Sequence, residues 1–535
     1  MSDKQPIYIL PENMERTMGR DAQRNNILAA KLVSDAVKTT LGPKGMDKML
    51  VDATGEITIT NDGVTILEQM EIEHPAAKMM VEIAKTQENE VGDGTTTAVM
   101  LAGKLLENAE KLLDMKIHPT VITKGYTLAA NKAKEFLIDA SVEINLSKKE
   151  ELKAIAMTAM TGKSAEVVKD KFADIIVEAI AQIEDNGKVD ITNIQIEKIK
   201  SNGIENTELI KGIIIDKERV SIDMPVKIVN AEIALISESL EARNPEGDAK
   251  ISITEPSQFQ SFIEREDLIL KGLADKIIFS GANVVFCQKG IDDMVQYYLA
   301  KKGIYACRRV AKSDMEDLSR ATGGKIISNL NDLSKEQLGY SEIVEEIKNG
   351  EETMTYVKGC KNPKALTILI HGGSSHVIDE MERALKDGLG DVANVVKYKK
   401  IVAGAGAIEM ELSKRLKEFA NSLKGREQLA VQEFANALEF IPLTLAENAG
   451  LDPIDVLTEL KSRHDNNEMY TGINIFTNKV EDSLKAGIIE PAKIKSQAIS
   501  SATEVAVMIL RIDDVLASKT SSKGSRTKMP MGEFD

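Results

Sequence analysis

Tryptophan is absent from this sequence of 535 residues, and cysteine and histidine are scarce, with three and five copies. The cysteines, Cys287, Cys307 and Cys360, are far apart and form no Cys-x-x-Cys pair. This disfavours a disulfide framework or a zinc ribbon and predicts buried thiols. The histidines form no His-Glu-x-x-His helix. His371 and His376 flank two glycines and could share a metal, but unliganded loop histidines are the commoner arrangement.

The sequence also lacks an apolar run of the roughly 18 residues that span a bilayer. Its polar first residues, 1–4, do not resemble a signal peptide. These absences predict a cytoplasmic protein without a membrane partner. Basic residues are outnumbered, since 68 Lys and Arg against 84 Asp and Glu give a net charge of -16. Because this negative field repels nucleic-acid phosphates, no nucleic-acid partner is expected.

The length predicts several domains, because a single hydrophobic core stops growing at about 250–300 residues. Residues 21–40 have the 3.6-residue apolar period of a helix, with Leu28 and Leu32 on the apolar face. Helical patterns return after about residue 401. The outer segments are therefore predicted to be two halves of one mostly helical domain. Residues 518–535 show little periodicity and predict a disordered tail.

Other patterns interrupt the helical segments. Short β-type runs at 48–52 and 56–60 predict a hairpin. Between about residues 220 and 358, strands and helices alternate, which predicts an inserted α/β domain. The alternating runs lie at 231–237, 276–279, 284–286, 291–301 and 306–310. The apolar stripe within the run at 291–301 is typical of a helix that packs on its own sheet.

Residues 240–275 interrupt the inserted domain with a polar turn and then a helix that begins at Pro256. This helix carries four large apolar residues: Phe259, Phe262, Ile263 and Ile269. The segment can be a protruding arm or a surface helix with an ordinary buried face. Periodicity alone favours the surface helix.

The most informative segment is Val-Gly-Asp-Gly-Thr-Thr-Thr at residues 91–97, which precedes a helix predicted at 98–113. Glycines let the backbone approach an anion, and the first turn of a helix offers unpaired N–H groups. The segment is therefore suited to bind phosphate. Asp93 would supply a hard oxygen ligand for Mg²⁺. A plain helix cap after a glycine-rich turn is an alternative of equal weight.

Other turns give weaker signals. Glycine loops at 41–45 and 403–407 can pass close to a nucleotide. Asp62 and Asp387 adjoin tight turns, where a carboxylate can orient the water that attacks a γ-phosphate, although a turn-forming aspartate is the usual explanation. Residues 160–164 resemble the end of a P-loop, but a methionine occupies the place of its first glycine, so that assignment fails.

In their order along the chain, these segments resemble the group II chaperonins of archaea and of the eukaryotic cytosol. Three long stretches match the N-terminal signatures of that family, and three later stretches continue the likeness: residues 39–50, 59–67, 87–95, 281–290, 444–452 and 487–491. The likeness covers nearly the whole chain. Three long motifs at matching separations are very specific.

The resemblance implies a multidomain α+β chaperonin fold. It has a mostly helical, discontinuous equatorial domain, a small intermediate hinge domain, and an inserted α/β apical domain with a helical protrusion. The implied ranges are 1–148 and 403–517 (equatorial), 149–217 and 366–402 (intermediate), 218–365 (apical, with the protrusion at about 240–275) and 518–535 (disordered tail). The resemblance thus reverses the preference for an ordinary surface helix at 240–275, because the family's protrusion acts as a built-in lid.

The implied function is an ATPase that uses ATP and Mg²⁺ to close this lid over non-native protein clients in a homo- or hetero-oligomeric double ring. Asp93 would hold the metal, and Asp62 and Asp387 would be the catalytic residues on the attacking water. Lys163 would sense the γ-phosphate. The other implied nucleotide-binding residues are Gly94, Thr95, Thr96 and Thr97 at the phosphates, Gly42, Gly404 and Glu490 on the adenosine side, and Leu41, Pro43 and Gly406.

The sequence departs from the usual family pattern at a few positions: Ala405, Gly388, Asp391, His371 and the pair Tyr398-Lys399. Ala405 stands where a third glycine is common, and Asp391 replaces an apolar residue. Every presumed catalytic carboxylate is retained, so we expect a working ATPase. Since Asp387 would lie in the hinge, its site would be complete only when the hinge domain swings down.

Two other classes of function stay open at this stage. A holding or structural ring would bind clients without productive turnover. A metabolic phosphotransferase is disfavoured, because nothing in the sequence marks a small-molecule pocket beyond the nucleotide loops. Replacement of Asp387 by Ala would abolish folding by an active chaperonin and would spare a holding ring.

Overall fold

The computed structural model describes residues 14–146, 148–163, 168–185, 187–201, 203–242, 256–349, 352–361 and 363–518. In these ranges no helix is long and apolar enough to cross a membrane. Several sequence predictions fall outside the described residues: the polar start at 1–4, residues 243–255 of the protrusion, the side chains of Phe259 and Phe262, and the tail beyond residue 518.

The first part of the chain is mainly helical. Its elements are β1 (Met14–Met18), α1 (Gly19–Lys38), β2 (Lys48–Val51), β3 (Ile57–Thr60), α2 (Gly63–Gln69), α3 (Pro75–Val91), α4 (Thr95–Asp114), α5 (Pro119–Ala140) and β4 (Val142–Glu143). β2 and β3 pair antiparallel, so the predicted hairpin is confirmed. The predicted helix after residue 97 is confirmed as α4.

The predicted apolar face of α1 is partly wrong. Leu28 and Leu32 are 56% and 61% exposed, whereas Ile27, Ala30 and Val33 are buried. Adjacent residues on a helix point about 100° apart, so Ile27 and Leu28 cannot both lie at the centre of one buried face. The two leucines are left on the outer side of the helix.

The middle of the chain builds a seven-stranded mixed sheet, a separate three-stranded sheet and the helices beside them. Its elements are α6 (Lys149–Met160), α7 (Lys169–Ile183), β5 (Ile194–Lys200), β6 (Glu208–Ile210), β7 (Gly212–Ile215), β8 (Lys227–Ile236), α8 (Pro256–Ser280), β9 (Val284–Cys287), α9 (Asp293–Lys301), β10 (Tyr305–Cys307), α10 (Lys312–Thr322), β11 (Ile326–Ile327), β12 (Gly339–Asn349), β13 (Glu352–Lys358) and β14 (Leu366–Gly372). The strand order is β10-β9-β8-β12-β13-β7, and β11 pairs with β8.

Both faces of this sheet are covered. Along β8, Ile233 belongs to one core and the adjacent Ala234 to another, as the two-residue period of a strand requires. Met315 of α10 packs in the first core, and Leu299 of α9 in the second. The predicted packing of the α9 stripe on its own sheet is confirmed except at Met294, which is 40% exposed. The run at 276–279 lies inside α8, between strands β8 and β9.

The last part of the chain returns to helices. Its elements are α11 (Ser375–Tyr398), β15 (Lys400–Ala403), α12 (Ala407–Ser422), α13 (Glu427–Leu438), α14 (Phe440–Asn448), α15 (Pro453–Asp465), β16 (Thr471–Asn474), β17 (Lys479–Asp482), β18 (Ile489–Pro491), α16 (Ala492–Leu510) and β19 (Asp514–Ser518). β19 pairs antiparallel with β1, with Ser518 opposite Met14. The prediction that the disordered tail includes Ser518 is therefore wrong at that residue, because the N-terminal strand pairs with it.

Helices from both ends of the chain share one hydrophobic core. Leu105 of α4, Phe434 of α13 and Ala502 of α16 are all fully buried there. Tyr126 of α5 packs edge-on against Phe434 with ring centroids 5.7 Å apart, and its hydroxyl donates to the Leu105 carbonyl at 2.8 Å. A second core joins α6, α7 and α11 to β5 and β14. With the separate cores of the large sheet, this gives a multidomain α+β fold.

Candidate active site

Loops from distant parts of the chain meet at a cavity of about 250 Å³. The predicted site residues on its wall are Leu41, Gly42, Pro43, Asp62, Asp93, Gly94, Thr95, Thr96, Thr97, Lys163, Asp387, Gly406 and Glu490. Gly404, the remaining member of the predicted set, lies just behind the wall, where an added Cβ would be 2.6 Å from Glu490 Oε1. The fold therefore brings the predicted residues together.

The turn at residues 92–97 joins α3 to α4 at one side of the cavity. Gly94 has a φ of +80° immediately before α4, a conformation that strains any residue with a side chain. A Cβ there would also lie 2.7 Å from Ile494 Cγ2. The Gln87 amide fixes the turn by donating to the carbonyl oxygens of Asp93 at 2.9 Å and Ile494 at 3.3 Å. A larger residue at position 94 would therefore distort this turn.

The first turn of α4 is open to an anion. Thr95, Thr96 and Thr97 line the cavity, and among the described residues no side chain caps this 20-residue helix. The first N–H groups of a helix have no partner within it and carry the positive end of the helix dipole. The helix start is therefore a suitable site for phosphate.

Asp62 lies at the start of α2, next to this turn. Its Oδ2 accepts hydrogen bonds from the backbone N–H of Thr65 at 2.9 Å and from the Thr65 hydroxyl at 2.6 Å, so it is a helix cap. A Cβ on Gly63 would lie 2.6 Å from Thr96 Oγ1. The glycine therefore allows the starts of α2 and α4 to approach closely, with the Asp62 carboxylate held on the cavity wall.

Lys163 and Asp387 form an ion pair at the cavity. Asp387 belongs to α11 and Lys163 to the turn after α6, and their side chains are only 12% and 17% exposed. The Asn61 amide donates to the carbonyl of Gly162 at 3.1 Å, which ties the Lys163 turn to the start of α2. Two residues that the sequence assigned to different tasks are thus in direct contact.

A buried lysine that the sequence analysis did not identify, Lys495, holds the carboxylate of Glu490. Lys495 Nζ lies 2.5 Å from Glu490 Oε2 and 2.8 Å from Glu409 Oε1. Burial raises the pKa of Glu490; Lys495 opposes this rise and Glu409 adds to it. Burial alone would lower the pKa of Lys495, but the two glutamates raise it. Its position in the first turn of α16, soon after Glu490, was the available signal.

Two further acidic residues lie close to the site. Burial raises the pKa of Glu88 on α3 to about 7, and the charges of Asp62 and Asp93 contribute to the rise. Asp391 lines the cavity and is only 2% exposed. The sequence marked Asp391 as a departure but did not place it in the site. Its signal was the spacing from Asp387, since residues four apart share one face of a helix.

Part of the cavity wall is apolar. The apolar lining residues include Ile441, Leu445, Ile473, Ile475, Phe476 and Ile488. Ala405, in the loop before α12, has a φ of +57°. The loop therefore keeps the left-handed backbone that glycine adopts easily. An apolar wall beside a polar end suits a ligand that has a flat ring and a charged part.

The scarce cysteines and histidines do not form a metal centre. All three cysteines are free and buried, as predicted, and burial raises the pKa of Cys287 to about 11. His371 lies in β14, and its Nδ1 is 2.7 Å from Ser201 Oγ. Across the described ranges no group of three or more His, Cys, Asp or Glu could hold a metal ion. Mg²⁺ that accompanies phosphate needs only one or two carboxylates, which the cavity wall supplies.

Comparison with known proteins gives a family match over most of the chain. A family model described as the TCP-1/cpn60 chaperonin family matches residues 33–520. The chain is 56% identical to a thermosome subunit beta of Archaeoglobus fulgidus, over 99% of both chains. It is 55% identical to a thermosome subunit of Methanopyrus kandleri, over 97% of this chain and 96% of the relative. A thermosome subunit alpha of Archaeoglobus fulgidus is 53% identical, over 99% and 97%.

Proposed function

The chain belongs to the TCP-1/cpn60 chaperonin family, and we propose that the cavity at the start of α4 binds ATP together with Mg²⁺. The chain is a group II chaperonin subunit, an ATPase that couples hydrolysis to protein folding. The observation that supports the site assignment most strongly is that residues from distant segments of the chain line the same cavity. The turn at 92–97, Asp62, Lys163 and Asp387 come from separate segments and line one cavity.

The phosphates would lie on the first turn of α4. The backbone N–H groups and the hydroxyls of Thr95, Thr96 and Thr97 would donate to phosphate oxygens. Asp93 would hold Mg²⁺, which neutralises phosphate charge and orients the oxygens when it is bound. This arrangement would place the γ-phosphate near the carboxylates of Asp62 and Asp387.

Lys163 and Asp387 would change partners when ATP binds. Without nucleotide each neutralises the other. The γ-phosphate carries more negative charge than one carboxylate, so it would attract Lys163 and free Asp387. Asp387, with Asp62, would then orient a water and accept its proton as the bond to the leaving oxygen breaks. The products are ADP and inorganic phosphate.

The adenosine would occupy the apolar side of the cavity. Glu490, held by Lys495 at 2.5 Å, would accept hydrogen bonds from the ribose hydroxyls. Gly42 and Gly406 line the same cavity, and Gly404 lies against Glu490. Lys495 is a positioning residue, because it fixes the carboxylate without contacting the reacting atoms.

The proposed domain ranges follow the family. Equatorial segments at 1–148 and 403–517 are supported by the core that helices from both ends share. The intermediate domain, 149–217 and 366–402, is supported by the core of α6, α7 and α11. Asp387 on α11 would therefore move with this hinge. The apical domain at 218–365 would carry the lid protrusion at about 240–275, where Ile263 and Leu268 of α8 are exposed.

The proposed assembly is a double ring of this chain with itself or with paralogous subunits. The similar Archaeoglobus fulgidus proteins are named as alpha and beta subunits. The β2–β3 hairpin exposes large apolar side chains, Met49, Val51 and Ile57, and a second subunit would cover them. Non-native proteins would be the clients, recognised by exposed apolar surface. The free buried cysteines accord with a reducing, cytoplasmic location.

The function is tested with the Asp387→Asn variant of the assembled protein. ATP hydrolysis and refolding of a denatured client should both fall to background, while Mg²⁺-dependent ATP binding is retained. The matched control is Asp379→Asn on the same helix, since Asp379 lies outside the cavity and pairs with Lys198 at 2.8 Å. Electron micrographs should show closed particles only with nucleotide. Full refolding activity in Asp387→Asn would contradict the proposal, and a wild type that holds the client without refolding it would favour a holding ring.

A further inference from the structure

We propose that Asp391 is a second carboxylate ligand of the Mg²⁺ that accompanies the nucleotide, beside Asp93. This inference rests on the function proposed above. It assigns a role to a buried acid on the cavity wall that the proposed catalytic set does not use. Three observations support it: the place of Asp391 on α11, its burial without a partner, and the engagement of the nearby lysines.

The backbone of α11 packs directly against residues 91 and 92, which precede Asp93. A Cβ on Gly390 would lie 3.4 Å from the Val91 carbonyl oxygen and 3.5 Å from the Gly92 Cα. The Asn394 amide donates to the same Val91 oxygen at 2.8 Å. Since neither Gly390 nor Gly92 has a side chain to separate them, Asp391 is brought next to the turn that carries Asp93.

Asp391 is a buried acid that the protein leaves uncompensated. Its side chain lines the cavity and is 2% exposed, and its Oδ1 has no hydrogen-bond partner among the described residues. Burial, and then the charges of Asp93 and Glu490, raise the pKa of Asp391 well above its ordinary value. A buried carboxylate without a donor is strongly unfavourable. A position that served packing alone would favour an apolar residue.

The nearby protein cations are already engaged. Lys163 and Lys495 are the positive charges that act on Asp391. Lys163 is paired with Asp387, and Lys495 bridges two glutamates. A positive charge that compensates the ionised form of Asp391 would therefore come from a ligand that enters the cavity.

Mg²⁺ is a cation that would balance the negative charge of Asp391. It prefers hard oxygen ligands in an octahedral shell, and with nucleotides it takes one or two carboxylates together with phosphate oxygens and water. Asp93 alone would supply one protein oxygen. Asp391 would supply the second, so this chain should bind the ion more tightly than a chain with an apolar residue at the position.

The test titrates MgCl₂ into the full-length, assembled protein with ADP present and records the rise in melting temperature. Asp391→Asn preserves the shape of the side chain, and Asp391→Val restores an apolar residue; Asp379→Asn is the control on the same helix. We expect both Asp391 variants to need about tenfold more Mg²⁺ or more for half of the rise. Without Mg²⁺ both should melt at a higher temperature than the wild type, because an uncompensated buried acid is gone.

The outcomes separate this inference from the proposed function. ADP affinity in EDTA should be no weaker in either variant than in the wild type. Mg²⁺ midpoints within about twofold of the wild type in both variants would overturn the role of Asp391 while the proposed function stands. A wild-type protein without any Mg²⁺ dependence would overturn the proposed function itself, and this assignment with it.

Discussion

At the scale of single residues, two positions that flank β15 keep a left-handed backbone without glycine. Ala405 and Lys399 both have a φ of +57°. For a residue with a Cβ this conformation costs roughly 1–2 kcal/mol relative to a right-handed one. The surrounding contacts hold the loop in place, since the backbone N–H of Ile473 donates to the Ala405 carbonyl at 3.0 Å. The loop shape is thus retained although the sequence departs from the family pattern.

Ala405→Gly should therefore stabilise the protein. Relief of the left-handed strain exceeds the extra entropy that glycine gains in the unfolded chain. We expect the free energy of unfolding to rise by about 0.5–1 kcal/mol, measured by urea denaturation. The control is Ala300→Gly in the last turn of α9, which should lower stability by up to about 1 kcal/mol. Equal losses in both variants would contradict the strain at Ala405.

Glu88→Gln should stabilise the nucleotide-free protein at pH 8 and much less at pH 5. The pKa of Glu88 is raised to about 7 in the folded protein, whereas its pKa in the unfolded chain is about 4.3. The folded protein therefore loses stability as the pH rises from about 4.3 to about 7, and its stability stays low above that range. Removing the charge should raise the free energy of unfolding by about 1–3 kcal/mol at pH 8. Unfolding by urea at both pH values measures the difference.

Exposed Glu82 on the same helix provides the control for this pH dependence. Glu82→Gln should leave the difference between pH 5 and pH 8 unchanged. The account of Glu88 is wrong if Glu88→Gln changes stability equally at both pH values.

At the scale of elements, predictions from sequence succeeded where a local cause fixes the structure. Glycine and threonine before an apolar period marked the start of α4, and the alternating runs marked the β2–β3 hairpin. The prediction failed where tertiary contacts decide. The prediction of which side of α1 is buried was wrong at Leu28, which is exposed. Local pattern cannot supply this fact.

Gly94→Ala should disrupt the phosphate-binding turn. The new side chain would be strained at a φ of +80° and would lie 2.7 Å from Ile494 Cγ2, so the start of α4 must move. We expect nucleotide affinity to fall at least about tenfold, measured by equilibrium binding of Mg-ADP.

Gly323→Ala at the end of α10 is the matched control for Gly94→Ala. Its φ is +77° and no atom lies within 4 Å of an added Cβ, so it adds strain without a clash. It should lose about 1 kcal/mol of stability and no nucleotide affinity. If the two variants bind Mg-ADP equally well, the turn does not bind phosphate.

At the scale of the whole molecule, the site depends on segments that only the fold brings together. The contact between Lys163 and Asp387, the bridge through Lys495 and the packing of Gly390 on Gly92 each join distant parts of the chain. No local pattern predicts such pairs. The family resemblance named several of these residues, but the buried Lys495 and the placement of Asp391 required the three-dimensional arrangement.

The assembly is tested on the β2–β3 hairpin. Val51 is 62% exposed there, and Val51→Lys would place a charge in the subunit contact proposed for this surface. Sedimentation velocity should show smaller species for this variant. Val229→Lys, at a position on β8 that is 59% exposed, should leave the assembly intact. An unchanged sedimentation coefficient for Val51→Lys would exclude the hairpin from the contact.

The most direct test of the central claim is the affinity of the assembled wild-type protein for ATP, measured by equilibrium binding with Mg²⁺ and with excess EDTA. The site predicts saturable binding, one nucleotide to each subunit, that weakens strongly in EDTA and is followed by hydrolysis only when Mg²⁺ is present. ATP binding that is absent, or equally strong without the metal, would contradict it.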